Sequence, residues 1–360
     1  ANLIGNINAG GGGVNRNVVI NGAMNVAQRG DVTGKTAASY GGPDRFAVGI
    51  TSHGTYAVSQ SSTVPSGKGF ANSYKLDCTT ADTSVGSNAE VTIQHRFEGQ
   101  NLQTLRKGTS EAKPITATFY CRSNLTGTFT LEFFDNDNSR QCSKNFTISS
   151  ADTWEFKSIT FPADTTGTFG NDNLQSAVLV WWLAAGSDFT SGTQNTSAFA
   201  SNTNANRVSS SIVNMSSSTD NEFLLTGVQL EVGQNPTEFE HEPVERTLAK
   251  CQRYFWNIQG SNQPVGAGAT WNASYIHVNI AHPVEMRANP DFVITTGTNY
   301  YQTPNGSAAF ETFNGDDDQQ FVSTLGSIVQ FNSGVSITAG RSISVSTANS
   351  SADLAWNSEL

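Results

Sequence analysis

The chain has 360 residues, which is enough for two domains at about 150 residues each. Its 20 basic residues are outnumbered by 30 acidic ones, for a formal net charge of −10, and they form no basic cluster. Because nucleic-acid binding depends on Lys and Arg neutralising phosphates, we expect no nucleic-acid partner. The longest apolar run, residues 177–185, is well below the roughly 18 residues that span a bilayer, so we expect no membrane insertion.

Two further features of the composition narrow the class of protein: its low content of charged residues and its cysteines. Charged residues make up only 14% of the chain, so hydroxyl and amide side chains supply much of the surface. Such groups both donate and accept hydrogen bonds, which suits contact with sugars and equally suits any β-rich protein with many turns. The four cysteines, which we expect to be reduced packing residues, lack metal-ligand spacing: Cys78, Cys121, Cys142 and Cys251.

Residues 1–35 are rich in Gly and Asn, with four consecutive glycines at 10–13. This segment cannot bury enough apolar surface to offset the backbone entropy of ordering it. If it is ordered, a partner must hold it through its few apolar side chains. We therefore predict an attachment arm, with a frayed terminus as the alternative, whose contacts are Leu3, Ile4, Val18 and Ile20. The start also lacks a basic and an apolar leader region, so no secretory signal is expected.

Residues 36–242 alternate short strands with polar turns. Ile115, Ala117, Phe119 and Cys121 point one way, and the residues between them point the other. That period of two is typical of a half-buried strand. Further strands are predicted at 91–93, 128–133, 146–148, 159–161 and 177–185. Many strands separated by polar turns favour a β-sandwich, most economically a jelly roll.

A short helix is predicted over residues 243–258. Pro243 is tolerated at a first helical position, and apolar residues then recur at spacings of four, three and four. Since three consecutive aromatics cannot share one helix face, at least one should be buried against another element or subunit. The predicted helix and oligomer contacts are Leu248, Tyr254, Phe255 and Trp256.

Residues 259–360 return to strand patterning and predict a second, smaller β-sandwich. Residues 275–280 alternate cleanly, and Pro283 ends that strand because it cannot donate to a β-ladder. Later strands are predicted at 292–294, 310–313, 321–322, 328–331, 335–337 and 343–345.

No catalytic signature occurs in the chain, so we predict no enzyme, no catalytic residue, no cofactor and no metal. The five histidines are scattered and show no metal-ligand spacing. The obvious candidates for paired carboxylates are two acidic clusters, 135–138 and 316–318. We interpret both as solvated turns, with a calcium site as the next alternative because Ca²⁺ takes oxygen ligands.

Aromatic side chains are the remaining candidates, because exposed rings stack on the apolar faces of sugars. Trp181 and Trp182 are adjacent on a predicted strand, so one ring should face inward and the other outward. Trp271, Tyr300 and Tyr301 lie in or beside loops of the second domain, and we predict these three as glycan-binding residues. Packing in a core or between subunits is the alternative for each of them.

A series of short motifs occurs in one order along nearly the whole chain. They are Val19–Met24, Gln28–Arg29, Asp44–Phe46, Phe97–Gly99, Lys113–Thr116, Leu125–Phe129, Trp154–Lys157, Asp164–Thr168, Gly227–Gly233, Cys251–Phe255, His282–Arg287 and Ser358–Leu360. In this order they resemble bacteriophage tail-fibre and related receptor-binding virion proteins that contain a carbohydrate-binding-module-like jelly roll.

The resemblance implies non-catalytic adhesion to host cell-surface glycans by a homotrimer on the exterior of the virion. It also implies assembly in the host cytoplasm and attachment to other tail or head proteins through the N-terminal arm, with the 259–360 domain distal. Each subunit would bind weakly, and the trimer would add avidity through effective concentration. The alternative is a structural head fibre, capsid-decorating protein or tail adaptor without receptor binding.

Overall fold

The computed structural model describes residues 16–272, 274–304, 309–332 and 340–360, with the backbone alone for 316–320. These residues form two compact units, one that runs to Thr247 and includes Leu360, and one from Leu248 to Glu359. We call them the N-terminal and the C-terminal unit. Leu3 and Ile4 of the predicted arm lie outside the described residues.

The N-terminal unit is a sandwich of two antiparallel sheets. The first sheet has six strands, in spatial order β1 (Val32–Lys35), β4 (Thr55–Ser61), β5 (Ser73–Thr80), β13 (Glu222–Val232), β7 (Ile115–Ser123) and β10 (Glu155–Phe161). The second has seven, in spatial order β12 (Ala200–Ser201), β9 (Arg140–Ile148), β8 (Gly127–Asp135), β11 (Gln175–Ala185), β6 (Glu90–Glu98), β3 (Phe46–Thr51) and β2 (Ser39–Tyr40). Short helical turns are α1 (Ser187–Thr190) and the 3-10 segments Gly99–Asn101, Gln103–Leu105, Asn204–Asn206 and Met215–Ser217.

Strand alternation sets which side chains fill the space between the sheets. On β7, the predicted inward set of residues 115, 117, 119 and 121 lies in the core, together with Phe129 and Leu131 of β8. Trp181 of β11 packs there too, with its ring 5.7 Å from that of Phe119. The expected period of two is therefore confirmed on these strands, and the all-β fold class with it.

Residues 16–31 pack against the sandwich, which corrects the prediction of an arm up to residue 35. Val19 and Met24 are buried in the core. The backbone N–H of Val18 donates to the Leu230 carbonyl at 3.1 Å, and that of Ile20 donates to Nε2 of His95 at 3.2 Å. Sequence composition missed these contacts because they are made by backbone groups and by only a few buried side chains.

Trp181 and Trp182 do not divide into one buried and one exposed ring as expected. Both are fully buried. Trp182 points away from the core, but residues 186–212, which we call the covering segment, pack over it with Phe189, Val208 and Ile212. The outward position on this strand is therefore a second, smaller apolar cluster.

The linking helix α2 (Val244–Gln252) is shorter than the predicted 243–258. The chain turns at residues 253–254, and β14 (Phe255–Gln259) follows. Tyr254, Phe255 and Trp256 are all buried, none of them on a helix face. The ring of Trp256 stacks on that of Trp356 with centroids 4.3 Å apart, so its burial needs no second subunit.

The C-terminal unit contains two antiparallel sheets around one core. A three-stranded sheet has the order β14, β23 (Asp353–Asn357) and β17 (Asp291–Ile294). A seven-stranded sheet has the order β19 (Phe310–Phe313), β18 (Tyr301–Pro304), β22 (Ser342–Thr347), β15 (Pro264–Thr270), β16 (Tyr275–Ala281), β21 (Gly326–Asn332) and β20 (Asp316–Val322). Its edge strands β19 and β20 are consecutive in sequence, so the sheet curls back toward itself.

Several other expectations can be compared with the described residues. All four cysteines are free and buried, as predicted. The predicted strand at 335–337 lies outside the described residues. No helix in the described part of the chain combines the length and hydropathy needed to cross a bilayer.

Candidate functional site

An open groove lies on the outer face of the first sheet of the N-terminal unit. Its volume is about 510 Å³. Five rings line it in an unbroken series of contacts: Phe156–Tyr120 (centroids 5.1 Å), Tyr120–Phe70 (5.7 Å), Phe70–Phe239 (5.0 Å) and Phe239–His241 (4.9 Å). Phe156 is 50% exposed, so the groove presents apolar ring surface to solvent. We call it the aromatic groove.

Sheet register places the floor of the aromatic groove. Tyr120 of β7 pairs directly with Phe156 of β10 on one side and with Thr226 of β13 on the other. Directly opposed residues lie on the same face of a sheet, so both rings point outward. The floor therefore follows from the outward half of the alternation on β7.

A bulge in β13 makes room for the third ring. The pairing between β13 and β7 shifts register between Thr226 and Gln229. Gly227 in this bulge has φ +62°, and a Cβ there would lie 2.6 Å from Cζ of Phe70. Glycine adopts positive φ without the steric cost of other residues. The bulge thus lets the Phe70 ring lie against bare backbone.

One wall of the groove is the segment 236–241, which has neither helix nor strand. Side chains from the outer face of β13 hold it: Glu231 accepts from the Thr237 N–H at 2.8 Å, and Gln229 accepts from the Glu240 N–H at 2.8 Å. We call residues 236–241 the wall. Its hydrogen bonds to the sheet fix the positions of Phe239 and His241.

Polar groups at the groove complement the rings. Lys68 and Glu238 are exposed, and Thr118 and Thr237 also contribute to the lining. Hydroxyl and charged groups beside an apolar surface are the usual makeup of a small-ligand site. The aromatic rings of such a surface can stack on the apolar face of a sugar ring, and its polar groups can form hydrogen bonds with the sugar hydroxyls.

The outer face of the second sheet differs from the aromatic groove because the covering segment buries its side chains. Glu132 is fully buried and accepts from Arg207 through both carboxylate oxygens at 2.9 Å and from Nε1 of Trp182 at 2.8 Å. The Arg207 guanidinium lies 4.9 Å from the Trp182 ring centroid. Glu132, Arg207 and Trp182 therefore satisfy one another within the chain and lie beneath the covering segment, unlike the open rings of the aromatic groove.

The first acidic cluster is the predicted solvated turn only in part, because residues 136–139 form a turn with Asp137 exposed but Asp135 lies at the end of β8 in the interior. Asp135 is fully buried, and Nζ of Lys107 lies 2.5 Å from its carboxylate and 3.1 Å from that of Asp164. The same ammonium donates to the carbonyls of Thr166 and Gly167 at 2.8 Å. A lysine thus occupies the position among these oxygens where the alternative reading expected a cation.

The pKa of Asp164 reflects this cluster. Burial works to raise that pKa, but hydrogen bonds from Arg140 and Lys107 outweigh it and hold the pKa below its ordinary value. In the second cluster, 316–318, the backbone belongs to β20 rather than to a turn, and the side chains lie outside the described residues. No group of three or more potential metal ligands occurs among the described residues.

The three predicted glycan-binding residues of the C-terminal unit differ in exposure. Trp271 is 68% exposed, and its ring stacks on that of His277 with centroids 5.1 Å apart. Tyr301 is fully buried, and its hydroxyl donates to the Thr295 carbonyl at 2.9 Å. The prediction for Tyr301 is therefore wrong, because this tyrosine starts a core-facing strand. Tyr300 is half-buried against the same core.

None of the five groove rings was predicted from the sequence as a functional residue. Tyr120 was assigned to the outward set of its strand, which was the available signal. The wall carries its own weak signal, since Phe239 and His241 alternate with acidic residues in an irregular segment. The local sequence does not show the strand register, which brings four separate segments together on one face.

Comparisons with known proteins gave matches only among solved structures. No protein family and no curated protein matches the chain. Similar solved structures include the enzymatically active domain of tailspike protein 4 of bacteriophage CBA120, at 12% identity and TM-score 0.30 over 60% of this chain. Others are a family 11 carbohydrate-binding module of a Clostridium thermocellum cellulase (11%, TM-score 0.28, 59% of this chain and 99% of that one) and a family 61 module in complex with β-1,4-galactotriose (8%, TM-score 0.28, 52% and 88%). This chain spans 21% of the length of the tailspike domain.

Proposed function

We propose that this protein binds glycans through the aromatic groove and does so without catalysis. The observation that carries the proposal is the groove itself, in which five rings in continuous contact lie on an open sheet face. Aromatic side chains supply a large apolar contact area in a fixed geometry, and the adjacent ammonium, carboxylate and hydroxyl groups can bind sugar hydroxyls. The exposed ring of Phe156 is the surface that a sugar would reach first.

The biological setting of the proposal comes from the ordered motifs along the sequence. We propose a receptor-binding protein of a bacteriophage virion, assembled as a homotrimer and exposed on the particle exterior. Residues 1–15 would attach it to other tail or head proteins. Light scattering of the purified full chain tests the trimer, and immunolabelling of virions tests the location. A monomer that labels no virion would contradict this setting and leave glycan binding to be judged separately.

A binding array tests the groove. It would present bacterial lipopolysaccharides together with β-1,4-linked glucose, galactose and xylose oligomers. We expect the wild-type protein to bind at least one of these glycans and Phe156→Ala to lose that binding. Leu174→Ala is the matched control, because Leu174 is also an exposed apolar side chain, at 60%. Binding by Phe156→Ala equal to wild type would reject the groove, and no binding by any variant would favour a structural spacer.

Trp271 is a second candidate surface, supported by its exposure and its stack on His277. It borders a shallow trough of about 720 Å³ floored by small residues of β15. Trp271→Ala on the same array, with Phe321→Ala as an equally exposed control at 67%, would assign binding to this surface. An unchanged array pattern would remove Trp271 from the binding machinery.

A further inference from the structure

A set of hydrogen bonds ties the wall of the aromatic groove to the first described residues of the chain. One carboxylate oxygen of Glu240 accepts from the backbone N–H of Arg16 at 2.7 Å and from that of Asn17 at 2.9 Å. The Arg16 guanidinium also donates to Oγ1 of Thr237 at 2.7 Å and reaches the Glu238 carbonyl at 3.4 Å. We call these contacts the clasp.

The clasp is anchored to the sheet behind it. Oδ1 of Asn17 accepts from the Leu230 N–H at 3.0 Å, and its Nδ2 donates to the Val228 carbonyl at 3.1 Å. Residues 16 and 17 are therefore fixed to β13 on one side and to the wall on the other. Charge-assisted bonds such as those to the Glu240 carboxylate are stronger than bonds between neutral groups.

The wall depends on such side-chain contacts because it has no regular secondary structure of its own. Two of its members, Phe239 and His241, contribute rings to the groove, and the Phe239 ring lies 5.0 Å from that of Phe70. A small displacement of the wall would change this contact and the width of the groove. Binding sites lose affinity when the groups that fix their geometry are removed.

We propose that Arg16 and Asn17 are positioning residues of the aromatic groove, so that the N-terminal entry of the chain controls glycan affinity. This inference rests on the proposed glycan-binding function. Residue 15 is covalently joined to the clasp, so a partner that grips residues 1–15 acts on the same contacts. Coupling between two sites is reciprocal: if attachment at the N-terminus changes glycan affinity, glycan binding changes the strength of attachment by the same factor.

Substitutions in the full chain test the clasp. Arg16→Ala removes the contacts to Thr237 and Glu238, and Glu240→Ala removes the shared acceptor. Glu240→Gln keeps an oxygen that accepts both N–H groups and serves as the conservative variant. Arg246→Ala is the matched control, because Arg246 is an exposed arginine outside the groove. The probe is whichever lipopolysaccharide or β-1,4-linked oligomer on the array gives Phe156-dependent binding.

We expect Arg16→Ala and Glu240→Ala to bind that probe about tenfold more weakly. Glu240→Gln keeps the acceptor oxygen but loses its charge, so its affinity should lie between those of Glu240→Ala and wild type, while Arg246→Ala should stay within about twofold of wild type. Hydrogen exchange without glycan gives a second readout, and we expect faster exchange at residues 237–241 in Arg16→Ala than in Arg246→Ala. A merely structural clasp would lower thermal stability in the alanine variants and leave the affinity of the folded protein unchanged.

The outcomes separate the two proposals. Wild-type affinity in Arg16→Ala and Glu240→Ala, with Phe156→Ala inactive, would overturn the clasp and keep the groove. Unchanged exchange at 237–241 would also overturn the clasp. If wild type shows no Phe156-dependent binding but exchange at the wall still rises in Arg16→Ala, the proposed function fails, and the clasp is supported only as the device that holds the wall.

Discussion

The two outer faces of the N-terminal sandwich have aromatic side chains in equivalent positions but different exposure. On the second sheet, Trp182 points away from the core and is sealed beneath the covering segment with Glu132 and Arg207. On the first sheet, Tyr120 and Phe156 also point away from the core and remain open to solvent. An outward aromatic therefore becomes a candidate site only where no other segment covers it.

Substitutions on the two faces should therefore have different effects on the free energy of unfolding. A buried ion pair leaves an uncompensated charge when one partner is removed, whereas an exposed side chain contributes little to stability. The covered face should therefore govern folding and the open face should govern binding.

Glu132→Ala should destabilise the N-terminal unit by about 3–5 kcal/mol. The substitution leaves the Arg207 guanidinium and Nε1 of Trp182 without their shared carboxylate. Chemical denaturation followed by tryptophan fluorescence measures the change. Glu111→Ala, an exposed glutamate, is the control and should stay within about 0.5 kcal/mol of wild type. A loss below about 1 kcal/mol for Glu132→Ala would show that the covered face is not sealed.

Gly227→Ala should cost about 1–2 kcal/mol of folding free energy and also abolish glycan binding. The backbone strain follows from φ +62°, and the new Cβ would displace Phe70. Gly30→Ala is the matched control, because Gly30 has φ +67° and nothing within 4 Å of a built Cβ. Both variants should lose similar stability, and only Gly227→Ala should lose binding. Equal binding by the two variants would disconnect the bulge from the groove.

His95, which is buried in the N-terminal sandwich, should make the free energy of unfolding depend on pH. Burial, followed by the charge of Arg45, holds the pKa of this histidine well below its ordinary value. As the pH falls, His95 therefore takes up a proton in the unfolded chain before it does so in the folded protein. The stabilisation of the folded state that follows from its low pKa is complete above about pH 6.5 and is lost as the pH falls below that value. The slope is at most about 1.4 kcal/mol per pH unit. Thermal unfolding from pH 7.5 to 5 should show a shallower slope for His95→Gln than for wild type, and identical slopes would contradict this role.

Phe156→Ala should change stability least, by about 0.5 kcal/mol, because the ring is half exposed. Its effect on glycan affinity should nevertheless be at least about tenfold, as for other aromatic anchors of binding surfaces. Denaturation curves and titration with the array glycan measure the two quantities on the same sample. A large loss of stability would mean that Phe156 belongs to the core rather than to an open face.

Strand geometry is local and can be predicted from the sequence, whereas the cover over each outer face depends on the rest of the chain. Alternation on β7 separated Phe119 from Tyr120 correctly, because strand geometry fixes that period locally. The same rule gave the wrong exposure for Trp182, since the period of a strand does not show whether another segment covers its outward face. The prediction that Tyr301 is an exposed glycan-binding residue was wrong for a related reason. Its sequence neighbours suggested a turn, but the pairing of β18 with β19 and β22 places its side chain in the core.

The groove and the clasp depend even more on long-range contacts. Phe70, Tyr120 and Phe239 come from three parts of the chain and meet only through sheet register and the bulge at Gly227. Arg16 and Glu240 are 224 residues apart, and neither belongs to a recognisable motif of paired charges. Local pattern thus predicted the strands, while the site arises from the way they pair.

Hydrogen exchange of the full chain with and without the bound array glycan would show directly whether the aromatic groove is the binding surface. We expect slower exchange at residues 118–120, at Phe156 and along the wall, with no change in the covering segment. Protection confined to the covering segment or to the C-terminal unit, with an unchanged groove, would contradict it.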